Sequence, residues 1–354
     1  MGKSLTQKDY WKREDWFKTF PMYKLFGLEI SPFTLKIKSY LNYKKIKYKW
    51  IKNPNSKELR KLKQTSSLPF LLTDDGEVLQ DSTNAIVKLE HRHSNNSIYP
   101  EDSRLIFISS LIEEYSDEWM IKHLFNYRWT YEVDQNLASK RIAASSIPFY
   151  IRYLPIISEL ALEQTAQHMK DKYSNMASSA YGIDATNREL VETSFKRLID
   201  LLENHLIKFP YLFGGRPSIA DFGLWGQLYG SWMDITARNF INQRPNLVKW
   251  LKKMENPKIE CDFLGWSDVH LTIELILEKE IANVFLPWSN ANYNALNDKK
   301  DTFSVSLEGK SFKQNTQKSH AKSLKELRLK YNEYDLKESI KPILNNSGCL
   351  KFLD

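Results

Sequence analysis

Three short stretches place side chains where they could do chemistry. Ser31 stands between the run Tyr23 to Ile30, which reads as a strand, and a helix with Pro32 in its first turn. A hydroxyl at such a junction can donate a hydrogen bond to a thiolate. The helix N-terminus adds positive potential there, and both effects lower a thiol pKa. The same serine can also serve as a plain N-cap, and Thr34, one turn on, is a second hydroxyl of this kind. Asp81-Ser82 opens another helix, whose free N–H groups can be capped by a side chain or can hold a carboxylate. Leu68-Pro69 precedes a strand. A sharp turn there calls for a cis peptide; otherwise Pro69 begins an ordinary edge strand.

Other constellations carry less chemistry. His91 and His93 fall at a helix end with no third ligand in view, so no metal is expected. Glu113, Glu114, Asp117 and Glu118 have helical spacing but no Glu-x-x-His companion, and they read as a solvated face or as partners for Arg128 and Lys122. Neither a phosphate-binding glycine loop nor a Gly-x-Ser-x-Gly elbow occurs. Two cysteines, Cys261 and Cys349, cannot build a disulfide framework.

The elements that must position these residues follow from periodicity and turn chemistry. After the Ser31 helix, with Phe33, Ile37, Tyr40 and Leu41 at helical spacing, Lys47 to Lys52 reads as a strand and Glu58 to Gln64 as a short basic helix. Leu68 to Leu72 and Glu77 to Leu79 form a hairpin around Asp74-Asp75-Gly76, and the Asp81-Ser82 helix follows. A helix between two early strands implies a parallel crossover, so this half is a small mixed sheet covered by helices. Beyond Tyr99-Pro100 only helices are predicted. Among them are a stripe from Leu105 to Trp119, a segment Ser145 to Ala166 interrupted at Pro148 and Pro155, and a helix capped by Thr186 and Glu189. Ser218-Ile219-Ala220-Asp221 opens a further helix in a structural capping role. From about Leu264 an extension adds a helix over Leu271 to Phe285, a polar loop at Asn290 to Asp301, a hairpin turning at Glu308-Gly309-Lys310, and a charged helix over Ser323 to Leu344.

The chain has 354 residues and a formal charge of +8. Much of the excess lies between Lys36 and Lys63, where Glu58 is the only acid. Lysines alternating with Ile46, Tyr48 and Trp50 read as a strand with one solvated face, so a nucleic-acid partner is not expected. Residues 1–16 lack the apolar core of a secretory signal, and Arg152 breaks the longest apolar run. No membrane partner is expected, and a reducing, cytoplasmic setting is the default.

Three segments taken together, Ser31-Pro32-Phe33-Thr34, Ser67-Leu68-Pro69-Phe70-Leu71 with Gln80-Asp81-Ser82-Thr83, and Phe213-Gly214-Gly215-Arg216-Pro217-Ser218-Ile219-Ala220-Asp221, resemble the glutathione transferase superfamily. Glu113 to Trp119 and Phe125 to Trp129 look like a bacterial subgroup with an extended C-terminus. The resemblance implies an α+β two-domain fold: a leader (1–21), a thioredoxin-like mixed sheet with helices (22–96), an all-α helical domain (101–260) and a C-terminal extension (261–354). It implies reduced glutathione as co-substrate. Leu68 and Pro69 would meet its cysteinyl backbone, Asp81 and Ser82 its γ-glutamyl end, and Ser31 its thiol as the catalytic hydroxyl. Serine in place of the cysteine of the family's Cys-Pro-Phe branch disfavours mixed-disulfide chemistry. The second substrate would be a small apolar electrophile in a pocket bordered by Tyr115 and Trp119, and a homodimer is expected. Where the family has Gly and often a basic residue, this chain has Lys63-Gln64-Thr65-Ser66-Ser67. Lys63, Gln64 or a lysine near Trp50 would then meet the glycyl carboxylate. The competing function is a non-catalytic binding or assembly module on the same scaffold.

Overall fold

The computed structural model describes residues 22–52, 68–147, 155–333 and 337–354. The expected leader, the basic helix at 58–64, the 63–67 run and Pro148 lie outside them.

The first half is built as its turns and crossover require. β1 (Tyr23–Phe26) runs parallel to β2 (Tyr48–Ile51), because α1 (Pro32–Tyr43) carries the chain back between them. On its other side β1 pairs antiparallel with β3 (Phe70–Leu72), which turns into β4 (Val78–Gln80), giving the order β2-β1-β3-β4. α2 (Ser82–Arg92) buries Ala85, Ile86 and Leu89 against this sheet half, and α1 buries Leu35, Ile37, Tyr40 and Leu41. Around β2 the exposed Lys47 and Lys49 alternate with half-buried Tyr48 and Trp50, the one-sided pattern of a solvated strand. Lys36 departs from that basic surface. It is 1% exposed, inside the molecule.

The helical half comprises α3 (Ser103–Glu118), α4 (Met120–Thr130), α5 (Glu132–Ser146), α6 (Pro155–Tyr181), α7 (Arg188–Leu206), α8 (Ile219–Trp232), α9 (Ile235–Ile241) and α10 (Pro245–Lys253). α8 is the central helix, packed on α1, α3 and α4 and buried almost throughout. Asp221 anchors its start: the carboxylate accepts from the N–H groups of Ser218 and Leu212, both at 2.9 Å. Burial pushes its pKa up to about 6 against those hydrogen bonds. The expected Thr186–Glu189 box does not form. The Asp184 carboxylate takes the N–H groups of Thr186 and Asn187 instead, and α7 starts at Arg188, one residue later than that box would set it.

Gly226 sets how closely the two halves approach. A Cβ there would lie 2.5 Å from the Pro32 carbonyl oxygen, which is backbone and cannot swing aside. Gly226→Ala should therefore destabilise the protein by about 1–3 kcal/mol, even though alanine is the better helix former by about 1 kcal/mol. Denaturant unfolding checks this; a stabilised variant would show that α1 and α8 can separate without loss.

The extension carries α11 (Trp266–Ile276), a π-helical segment (Leu277–Phe285), α12 (Leu286–Asn297), the hairpin β5 (Thr302–Leu307) and β6 (Lys310–Asn315), α13 (Lys318–Asn332) and α14 (Lys337–Asn346). The expected loop at 290–301 is largely helix. Within it Asn292 is buried and exchanges hydrogen bonds with the main chain of Gln317. The single helix expected over 323–344 is two.

Candidate functional site

Register brings the three chemical stretches to one end of the sheet. Phe26, Phe70 and Gln80 face one another across β1, β3 and β4. The chain therefore leaves toward Ser31, enters from Leu68-Pro69 and leaves toward Asp81-Ser82 on the same edge. The Leu68–Pro69 peptide is cis. Leu68 lies outside the strands, and no hydrogen bond among the described residues uses its N–H or C=O.

Ser31 and Leu68 both line a cleft of about 900 Å³ between the halves. Ser31 caps α1, but its Oγ lies 3.5 Å from the Thr34 N–H, the long limit of a hydrogen bond. The hydroxyl proton is left free to donate into the cleft. Thr34 is no substitute: it is fully buried, with its hydroxyl packed under Gly27. Arg128 of α4 fixes the Ser31 turn from the helical side. Its guanidinium donates to the Ile30 carbonyl (2.8 Å), the Gly230 carbonyl (2.7 Å) and the Asp234 carboxylate (2.8 Å).

Asp81 takes a left-handed backbone (φ 67°), and its carboxylate accepts from the Asn84 N–H at 3.0 Å, so it caps α2. Ser82 is buried in the first turn. Neither belongs to the wall of the cleft; they flank it at the sheet end. Thr83 faces inward, onto a cluster that joins the halves. The Lys36 ammonium donates to the Thr83 hydroxyl (2.9 Å), the Asp117 carboxylate (2.7 Å) and the Glu113 carboxylate.

The α3 carboxylates are thus not a solvated face. Glu113 and Asp117 hold Lys36, and Glu118 faces His320 of α13. Burial pushes Asp117 up to about 7 and Glu114 up to about 8, with the charge of Glu113 adding to both. Glu113 itself stays below the usual range: burial opposes its charge, but Lys36 beside it outweighs burial. The anticipated partners are engaged elsewhere. Arg128 holds Asp234, and Lys122 donates to Gln314 Oε1 (2.7 Å) and the Tyr181 carbonyl (3.0 Å).

Tyr115 and Trp119 do not border the cleft. Both are fully buried on the opposite side, where Tyr115 donates to Glu280 at 3.0 Å and Trp119 to Ser194 at 3.1 Å. The extension covers that side, with Phe285 and Trp288 against their rings. The cleft is lined instead by Phe125 and Trp129 of α4 and by Met169, Tyr173, Met176 and Tyr181 of α6. The α6 wall was legible only as a stripe at i, i+4, i+7 from Met169, a spacing that a core face shares.

The hairpin of the extension fixes the end of α6. Gln314 donates to the Ala180 carbonyl (2.7 Å), Asn315 to Ser179 (2.9 Å), and Asn187 to Lys313 (2.7 Å). Lys122 sits in the same knot, its ammonium 4.3 Å from the Trp288 ring centre. Burial pushes its pKa well down. Among the described residues no cluster of three or more His, Cys, Asp or Glu could hold a metal ion, and no helix is long and apolar enough to cross a membrane.

Residues 25–97 match the family model "Glutathione S-transferase, N-terminal domain" and residues 184–253 match "Glutathione S-transferase, C-terminal domain". Similar solved structures include a GST-like protein from Pseudomonas syringae (16% identity, 75% of each chain, TM-score 0.46). Another is the beta-etherase LigF from Sphingobium sp. strain SYK-6 (19% identity, 66% of this chain and 94% of that one, TM-score 0.43). A third is a glutathione S-transferase from Methylobacterium radiotolerans in complex with glutathione sulfonate (14% identity, 67% and 91%, TM-score 0.40). A search of curated proteins gave no match.

Proposed function

Starting from a chain that belongs to the glutathione transferase superfamily, we propose that it binds reduced glutathione and directs its thiolate at an electrophile held in the cleft. The observation that carries this reading is the meeting of Ser31 and the cis Leu68–Pro69 turn in one cleft, with the start of α2 at the same sheet end. Leu68 offers an N–H and C=O that no described residue engages to the cysteinyl backbone of the tripeptide, as a strand edge would. Ser82 and the α2 N-terminus take the γ-glutamyl carboxylate, and Asp81 faces the ammonium. Lys52 is the described lysine nearest in sequence to Trp50 on its far side, but it pairs with Glu29 at 2.8 Å. The glycyl carboxylate therefore needs another cation or displaces Glu29.

Ser31 then acts as a serine-type hydroxyl: its O–H donates to the sulfur, favouring thiolate, while the thiol proton leaves to solvent. The sulfur lone pair forms the new C–S bond, and the leaving group departs with its electron pair. Holding both reactants side by side supplies much of the acceleration.

Calorimetric titration tests the reading. Wild type should bind glutathione, and Ser82→Ala should weaken it by about tenfold or more, the worth of a hydrogen bond to a charged group. Thiol titration of the complex should show Ser31→Ala raising the bound thiol pKa by about one unit, equivalent to about 1.4 kcal/mol. No binding at millimolar glutathione would leave the non-catalytic module as the function.

A further inference from the structure

The sheet has a second feature that the cleft does not use, its open edge at β2. We infer that β2 takes up an extended acidic segment of a partner protein as a fifth strand, with Asp or Glu alternating in that segment with β-branched or aromatic residues.

The backbone comes first. β2 ends the order β2-β1-β3-β4, so only its β1 side is paired. The Gly27 N–H donates to the Ile51 carbonyl at 3.2 Å. Main-chain groups alternate sides along a strand, so those of Lys49 also face β1 and those of Tyr48 and Trp50 face the open side. A strand laid there gains ladder hydrogen bonds, the source of affinity in strand addition.

Side chains decide the class of partner. From Lys36 to Lys52 the sequence contains no acid. Lys36 and Lys44 are spent on buried carboxylates and Lys52 on Glu29. Lys47 and Lys49 are exposed on one face of β2 and form no ion pair with a described residue. On the other face Tyr48 donates to Asn42 at 3.1 Å and Trp50 to the Gly27 carbonyl at 3.0 Å, which holds both half-buried rings beside the edge. The residues of an added strand alternate in the same way. One set lies beside the lysines and calls for carboxylates; the other lies beside the rings and calls for β-branched or aromatic side chains. The same lysines exclude a second copy of this edge, which would set like charges opposite one another. A nucleic acid would meet the lysines but has no regular ladder to offer the open carbonyls.

The test is fluorescence anisotropy on the full chain with a fluorescein-labelled peptide of about nine residues that alternates glutamate with valine. It should bind, and its lysine–valine counterpart should not. Lys47→Glu combined with Lys49→Glu should weaken binding about tenfold or more, because both cross-strand pairs turn repulsive. Both lysines are exposed, so the double variant should melt with wild type. Two N-methylated probes read the ladder. All glutamate N–H groups of such a strand face one side and all valine N–H groups the other. Methylating one set should abolish binding, and methylating the other should leave it within about threefold. Equal retention or equal loss with the two methylated peptides overturns the inference. So does an absence of binding at about 1 mM peptide. A single-stranded oligonucleotide of equal charge that binds as tightly, and loses its affinity in the same double variant, overturns it as well.

Discussion

Arg128→Met should destabilise the protein by about 3–5 kcal/mol, the usual cost of removing one partner from a buried ion pair. The magnitude follows from what is left behind. Arg128 and Asp234 have side chains 3% and 1% exposed, so the aspartate would keep its place without its cation. Burial already pushes Asp234 up to about 6 despite the guanidinium. The carbonyls of Ile30 and Gly230 would lose their donor in the same step. Arg128→Lys separates stability from function. A lysine keeps a charge beside Asp234 but cannot serve three acceptors in one plane. The Ile30 carbonyl is the one released, and Ser31 is the next residue. The lysine variant should therefore fold and bind glutathione, with a bound thiol pKa raised as in Ser31→Ala. A normal thiol pKa in a folded Arg128→Lys protein would show that the turn holds Ser31 unaided.

What the sequence made legible was local. Ser31-Pro32, Leu68-Pro69 and Asp81-Ser82 announce themselves by residue type at element junctions, where a cap, a cis turn or a left-handed residue has few alternatives. The capping box at Ser218 and Asp221 was legible for the same reason. Pairings between distant elements were not. Tyr115 and Trp119 share one helical stripe with core leucines, and a helix buried on several faces gives no periodicity to tell cleft from core. The extension made the difference: Phe285, Trp288 and Glu280 cover that stripe, and the cleft is lined from the helical half by α4, α5 and α6. Lys36 deceived in the opposite way. The lysines further along the basic run, Lys45, Lys47 and Lys49, are exposed, but helical spacing turns Lys36 toward α3, where only tertiary structure supplies Glu113 and Asp117.

That misreading yields the second large effect. Lys36→Met should destabilise the protein by about 3–5 kcal/mol near pH 8, by leaving two buried carboxylates without their cation, and by much less near pH 5. In the native protein Lys36 holds Glu113 below its usual pKa against the pull of burial. A depressed carboxyl contributes stability above its unfolded pKa and loses it as pH falls through the folded value. Removing Lys36 deletes that contribution. It also leaves Asp117, already raised to about 7 by burial, without the cation that opposes a further rise. A raised carboxyl works with the opposite slope: its stability is complete below the unfolded pKa and is lost as pH climbs through the folded one. Both changes act in the same direction, so the stability gap between wild type and Lys36→Met must widen from pH 5 to pH 8.5. Because Thr83 follows Ser82 and donates to this cluster, the α2 N-terminus should loosen along the same axis. Glutathione affinity of the variant should then fall further behind wild type as pH rises. Parallel thermal unfolding of the two proteins across that range reads the first effect and calorimetry reads the second. A gap that stays constant with pH would mean that the methionine stem, not the lost charge, sets the cost.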